Sequence, residues 1–285
     1  MRHEERNGTA MWTLTGFADE IDPELGLQLE TLVSLGIRHL ELRAVWETNV
    51  VRLTRQQLLA ARGQLGQAGV RVSSIGSPIG KVALDAPFEP HLEEFRRALD
   101  AAAFFDAPYV RMFSFFIPKG DDPDRHRGPV LERLGRLVRL AEEHGRTLLH
   151  ENEKHIYGDV PQRCLDLLRA FESPRLRAAW DPANFVQCGV TPFADGYAAL
   201  RPYIAYVHVK DALRAGGQVV PAGAGDGQWP ETLDALQADG FDGFFSMEPH
   251  LRHAGAFAGF SGPDRFREAT GAFQALLRER NLSWA

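Results

Sequence analysis

Cysteine is nearly absent. Cys164 and Cys188 are the only two in 285 residues, and they fall at no metal-type spacing. That excludes a disulfide scaffold and a thiolate zinc site, and leaves two reduced thiols in a cytoplasmic protein as the expectation. Long apolar runs are missing as well. None approaches the ~20 residues that a helix needs to cross a bilayer, so no membrane partner is expected. There is no basic block, and the formal net charge is −6, which argues against a nucleic-acid partner. No glycine-rich phosphate turn follows the first predicted strand, where the chain reads "GFADEID"; this weighs against a doubly wound dinucleotide-binding sheet and against a phosphorylated substrate. The opening "MRHEERNGTA" (1–10) is polar, lacks the apolar segment of a signal peptide, and reads as a disordered start.

What is present is a regular alternation. The composition is 44% hydrophobic and 25% charged, enough apolar material for a sizeable core. Eight β-branched or aromatic runs recur: "WTLTGF" (12–17), "IRHLEL" (37–42), "VRVSSI" (70–75), "PYVRMF" (108–113), "RTLLHE" (146–151), "LRAAWD" (176–181), "IAYVHV" (204–209) and "GFFSME" (243–248). Between them lie stripes at helical steps: Leu58, Ala61, Leu65 and Ala68; Val130, Leu134, Leu137 and Ala141; Phe266, Ala269, Phe273 and Leu276. Gly36, Gly69 and Gly145 stand just before strands, where a left-handed residue ends a helix. No linker divides the chain. Residues 11–285 are therefore expected to form one (β/α)8 TIM barrel, with an open doubly wound sheet as the competing architecture.

In such a barrel, chemistry gathers where strands end. The last four predicted strands end in Glu151, Asp181, His208 and Glu248. Strand alternation places each on the interior face, with Leu149, Ala179, Tyr206 and Ser246 behind them. Any one of these could be solvated or cap a helix, and Asp181 in "WDPANF" also fits a turn. Four in consecutive strands with the same parity point to a shared partner. Three carboxylates brought together repel unless something positive lies among them. Oxygen donors plus one imidazole suit one divalent metal ion: Mn²⁺, Mg²⁺, Co²⁺ or Zn²⁺.

Further residues line the same mouth. Arg111 has interior parity and could clamp a sugar oxygen, or pair with a rim acid. Glu41 could contact substrate, or pair with Arg43. Lys210 could reach a substrate oxygen, or pair with Asp211. Glu153, Lys154, His155 and His250 lie beyond the strands and are expected in solvated loops. "PHLRHAGAFAGFSG" (249–262) carries Phe257 and Phe260 and reads either as a closing segment or as a homo-oligomer contact. Phe113, Phe115 and Phe116 offer an apolar wall, or ordinary packing.

Taken together, "GFADE", "ELR", "ENEKHIYGD", "WDPANF", "VHVKD" and "MEPH" resemble the xylose isomerase-like TIM barrels, a family of sugar isomerases, epimerases, inosose dehydratases and relatives. The resemblance runs over about residues 12–280. It implies a single divalent metal on Glu151, Asp181, His208 and Glu248, with Glu151 and Glu248 shuttling protons on opposite faces of a bound sugar. One position departs: several ketose epimerases carry a substrate-binding His three residues after the Asp ligand, and here it is Asn184, which hydrogen-bonds a hydroxyl but cannot titrate. The expected activity is a metal-dependent isomerase or epimerase acting on a keto- or aldo-sugar through an enediolate. Expulsion of a β-hydroxyl from that enediolate would make the enzyme a dehydratase or lyase on a keto-sugar or inosose. A non-catalytic sugar-binding barrel is a third reading, and a multi-zinc nuclease on the same barrel is disfavoured by the charge and the scarcity of rim histidines.

Overall fold

A computed structural model describes residues 11–254 and 259–285. The expected disordered start and Phe257 lie outside the described residues. Eight parallel strands run β1 (Met11–Gly16), β2 (His39–Leu42), β3 (Arg71–Ile75), β4 (Tyr109–Met112), β5 (Thr147–Glu151), β6 (Leu176–Trp180), β7 (Ile204–Val209) and β8 (Phe244–Met247). Each pairs with its sequence neighbour from β2 to β8, β8 pairs with β1, and β1 lies against β2, so the sheet curls round as a TIM barrel. A short ninth strand, β9 (Ser283–Trp284), adds to the outer side of β1.

Among the described residues, eight helices of six residues or more cover or cap this sheet: α1 (Leu25–Ser34), α2 (Arg55–Ala68), α3 (Phe88–Phe105), α4 (Arg127–Glu143), α5 (Pro161–Phe171), α6 (Pro182–Gln187), α7 (Trp229–Ala238) and α8 (Pro263–Glu279). Local chemistry sets their ends. Thr54 opens α2 with a capping box: its Oγ1 accepts from the Gln57 N–H while Gln57 Oε1 accepts from the Thr54 N–H. Gly36, Gly69 and Gly145 all have positive φ at the helix-to-strand turns, as their placement predicts. The predicted stripe faces inward throughout α4, while in α2 Ala61 and Leu65 are buried and Leu58 and Ala68 half-buried. In α8 the innermost positions are Phe266, Ala269, Phe273 and Leu277, while Leu276 is half-buried.

Strand parity decides which side chains fill the barrel. Leu149, Ala179 and Tyr206 form their own buried cluster, with Tyr109 and Phe244 packed against it. This is the apolar floor under the site. A polar layer follows: Thr15 Oγ1 and Ser73 Oγ are 2.8 Å apart, and Ser73 Oγ is 2.8 Å from the Tyr206 hydroxyl. Outside the sheet, Trp12 stacks on Phe245, which packs on Phe273 and, through it, Trp229. Both thiols are free, Cys164 buried and Cys188 half-buried.

The segment after β5 packs closely against the barrel wall. His150, on the outer face of β5, has its Nε2 3.0 Å from Ser114 Oγ, which also accepts from the Gly158 N–H at 2.7 Å. A Cβ on Gly158 would overlap the His150 ring, whereas one on Gly63, in mid-α2, would meet open space. Gly158→Ala is therefore expected to destabilise the protein by about 1–3 kcal/mol through overpacking. Gly63→Ala is expected to stabilise it by about 0.5–1 kcal/mol. Urea unfolding midpoints of the two variants check both signs.

Candidate metal centre

Glu151 ends β5, Asp181 follows β6, His208 lies near the end of β7 and Glu248 follows β8. All four are buried, and one ligand atom from each lies within 4.8 Å of the others. His208 Nδ1 is 3.4 Å from Glu151 Oε1 and 3.5 Å from Glu248 Oε2. Those are the separations of donors that share one ion at about 2.1 Å with near-tetrahedral angles. His208 Nε2 faces Glu41 Oε2 at 3.4 Å, and neither ring nitrogen makes a hydrogen bond among the described residues. Glu41 also accepts from Ser246 Oγ at 2.7 Å. It therefore stands behind His208, on the side of the ring where a ligating imidazole commonly meets a carboxylate.

Asp181 combines two roles that look like alternatives in the sequence. Its Oδ1 accepts the Asn184 N–H at 2.8 Å and caps α6, while Oδ2 lies 2.7 Å from Lys210 Nζ. Asn152 brackets its backbone, accepting from the Asp181 N–H and donating to its carbonyl. Asn184 Nδ2 donates to Glu151 Oε1 at 3.2 Å and to the Asn152 carbonyl at 2.9 Å. Arg111 takes the rim-acid pairing: its Nη1 is 3.1 Å from Glu151 Oε2 and 3.8 Å from Glu248 Oε1. The guanidinium lies over the rings of Phe17 and Phe113.

Several partners differ from those the sequence suggests. Lys210 pairs with Asp181 and Glu248, not with Asp211. The Asp211 carboxylate instead accepts from the N–H groups of Ala212, Gly223, Gly225 and Gly227 and pins the loop after β7. Arg43 pairs with Asp19 and Glu248, not with Glu41. Glu153 is largely buried and pairs with Lys81, while Lys154 stays exposed and reaches Gln187. His250 is not in a solvated loop: its Nε2 is 3.2 Å from Glu20 Oε1 and 3.4 Å from Glu248 Oε1. Glu20, Arg43 and His250 are thus rim residues that strand-end reasoning missed, because each lies past the last strand residue on its own stretch of chain. The acidic "ADE" after the first strand was the available signal.

Electrostatics divides the acids. Burial works to raise the Glu151 carboxyl, but His208 and Arg111 outweigh it and hold the group at about 2. Glu248 is held well below the usual carboxylate range, Lys210 and His250 overcoming its burial. Asp181 is pushed up to about 6, chiefly by burial, with Lys210 opposing. Asp19, Glu20, Glu151, Asp181 and Glu248 face Arg43, Arg111 and Lys210, Glu41 faces His208, and Lys81, paired with Glu153, also acts on Glu151 and Glu248, so among these described residues seven carboxyl groups meet four permanent side-chain cations. The excess, the hard-oxygen donor set and the unsatisfied imidazole fit a divalent cation.

The fold and this rim define a (β/α)8 barrel with a mixed carboxylate–imidazole centre. The family model for the xylose isomerase-like TIM barrel matches residues 29–276, and the chain belongs to that family. Solved structures similar to it include the probable 3-DHS dehydratase AsbF of Bacillus anthracis, 18% identical with a TM-score of 0.74 over 93% of this chain and 98% of that one. The 3-keto-D-glucoside 4-epimerase YcjR of E. coli is 14% identical with a TM-score of 0.69, over 95% of this chain and 100% of that one. A xylose isomerase-like TIM barrel protein from Mycobacterium smegmatis, in complex with magnesium, is 18% identical with a TM-score of 0.66, over 94% and 98%. Among the described residues no helix is long and apolar enough to cross a membrane.

Beside the centre, burial drives His150 down to about 4, against the pull of Glu151. Its folded-state affinity for protons is below that of the unfolded chain, so the unfolded state binds more protons between about pH 4 and pH 6.5. The stability from keeping this ring neutral is fully present above about pH 6.5 and is lost as pH falls toward 4, by on the order of 2–3 kcal/mol. Urea midpoints between pH 7.5 and 5 should fall accordingly, and His150→Gln should flatten that slope.

Proposed function

We propose that this chain is a metal-dependent sugar isomerase or epimerase acting on a keto- or aldo-sugar. The carrying observation is the convergence of Glu151, Asp181, His208 and Glu248 on one buried point. These four would hold the divalent ion, which when bound supplies Lewis-acid polarisation of a substrate carbonyl. Family membership and the epimerase and dehydratase structures of the same fold support the reading.

The protein groups divide the remaining work. Glu151 and Glu248 are both kept ionised by their cationic neighbours, so either can accept a proton from the carbon next to a carbonyl. They approach from β5 and β8. One takes the proton from one face of the sugar, and the other, once protonated, returns one to the opposite face or to the adjacent carbon. Lys210 and Arg111 stand against these carboxylates and offer N–H groups to the charge that develops on the substrate oxygens. Asn184 holds Glu151 without titrating. Glu41 faces the His208 ring from the side away from Glu151 and Glu248. The likeness to the dehydratase fold motivates one variant outcome: an enediolate with a β-hydroxyl loses water instead of being reprotonated.

The test is NMR of the Mn²⁺-loaded protein with unphosphorylated ketoses, aldoses, inososes and 3-keto-glycosides in D₂O. Deuterium should enter at the carbon next to the carbonyl. Chelation by EDTA should abolish exchange, and Glu248→Gln should slow it about 10²–10⁴-fold. Appearance of an unsaturated product would assign the lyase branch. Full turnover by Glu248→Gln, or turnover indifferent to EDTA, would remove the proposal.

A further inference from the structure

A second group of metal-type donors lies on the other side of Glu248. Glu20, Glu248 and His250 each present one ligand atom, all within 4.8 Å of one another. Glu20 belongs to a short 3-10 turn after β1 and is fully buried. Its two oxygens do different things. Oε2 accepts from the His250 N–H at 2.8 Å and from Ser261 Oγ at 2.9 Å, which ties down the root of the loop after β8. Among the described residues Oε1 is buried without a hydrogen bond and faces His250 Nε2, itself buried and without one.

The His250 ring is held in this position. Its backbone adopts a left-handed φ of 46°, an uncommon conformation for a residue with a side chain. Gly259 leaves room for the ring, since a Cβ there would overlap it. The Nε2 separations, 3.2 Å to Glu20 Oε1 and 3.4 Å to Glu248 Oε1, resemble those around His208 Nδ1 at the first centre. Glu248 Oε1 already accepts from Arg43 Nη1 at 3.2 Å, but a carboxylate oxygen has a second lone pair. Asp19, Glu20 and Glu248 face the Arg43 guanidinium, and Arg111 Nη1 lies a further 3.8 Å from Glu248 Oε1.

We propose that Glu20, His250 and Glu248 Oε1 form a second divalent-cation site, with Glu248 bridging two ions, Oε2 toward the first and Oε1 toward the second. Two carboxylates and an imidazole suit Mn²⁺, Co²⁺ or Zn²⁺. This goes beyond the proposed function, which needs only the first ion. The competing arrangement is a protonated His250 lying between the two carboxylates with no ion.

Equilibrium dialysis of the full chain against Mn²⁺ at neutral pH, followed by metal analysis, separates them. The expected result is two Mn²⁺ per chain in the unmodified protein and one in His250→Ala. His250→Gln, which preserves more of the packing, should also bind one, and circular dichroism identifies any variant that fails to fold. Electron paramagnetic resonance gives a second readout. The six-line Mn²⁺ signal should broaden at two equivalents in the unmodified protein and stay sharp in a folded His250 variant. One Mn²⁺ per chain in the unmodified protein overturns the second site and leaves the first intact. Two ions in both proteins also overturns it. None retained overturns this site and the proposed function together.

Discussion

An excess of buried carboxyl groups at one end of the barrel is the constraint around which the structure is arranged. Carboxylates taken out of water must be paired or neutralised. Asp19, Glu20, Glu41, Glu151, Glu153, Asp181 and Glu248 are drawn together at the strand ends, and Arg43, Lys81, Arg111 and Lys210 only partly balance them. Arg43 reaches Asp19 and Glu248, Arg111 reaches Glu151 and Glu248, and Lys210 joins Asp181 to Glu248. Glu248 is the common member of all three contacts. A residue so heavily braced has little freedom to change rotamer.

Much of this was legible in the sequence because strand alternation is a rigid rule. Two-residue periodicity puts Leu149 below Glu151, Ala179 below Asp181 and Tyr206 below His208, and those three apolar residues do form a separate interior cluster. The helix-ending glycines at 36, 69 and 145 follow from an equally local rule. Periodicity stops where a strand stops. His250 reaches the rim only because its backbone turns left-handed after Pro249, and Glu20 only because a 3-10 turn brings it back over β1. Pair assignments made between sequence neighbours failed for the same reason. Lys210–Asp211 and Glu41–Arg43 are adjacent or nearly so, yet Lys210 finds its partners at the ends of the two neighbouring strands, Glu41 meets His208 across the barrel, and Asp211 takes the backbone N–H groups of its own loop.

The loops are held by the same kind of residue that builds the centre. Asp211 gathers four backbone N–H groups, and Gly225 and Gly227 are required there because a Cβ at either would overlap its carboxylate. Glu20 ties the loop after β8 with one oxygen and faces the rim with the other. Asp181 caps α6 with Oδ1 and faces Lys210 with Oδ2. Acids that anchor backbone on one side and present an oxygen on the other fix the mouth of the barrel and its chemistry in a single step. Their loss disturbs loop geometry as well as charge, so a side chain whose polar contacts are all with other side chains, such as Lys210, reports more cleanly on the site.

Asn184 shows why the charge count matters to the chemistry. Its side-chain amide donates to Glu151 Oε1 and to the Asn152 carbonyl, and its backbone N–H caps onto Asp181. A histidine at that position would bring another group able to carry positive charge against two acids that already share Arg111 and Lys210 between them. It would compete with a bound cation for the same negative field. An amide supplies the donor without the charge, leaving Glu151 set by His208 and Arg111. Both amide hydrogens of Asn184 are thus taken up within the rim, on Glu151 and on the Asn152 carbonyl, and neither adds charge to it.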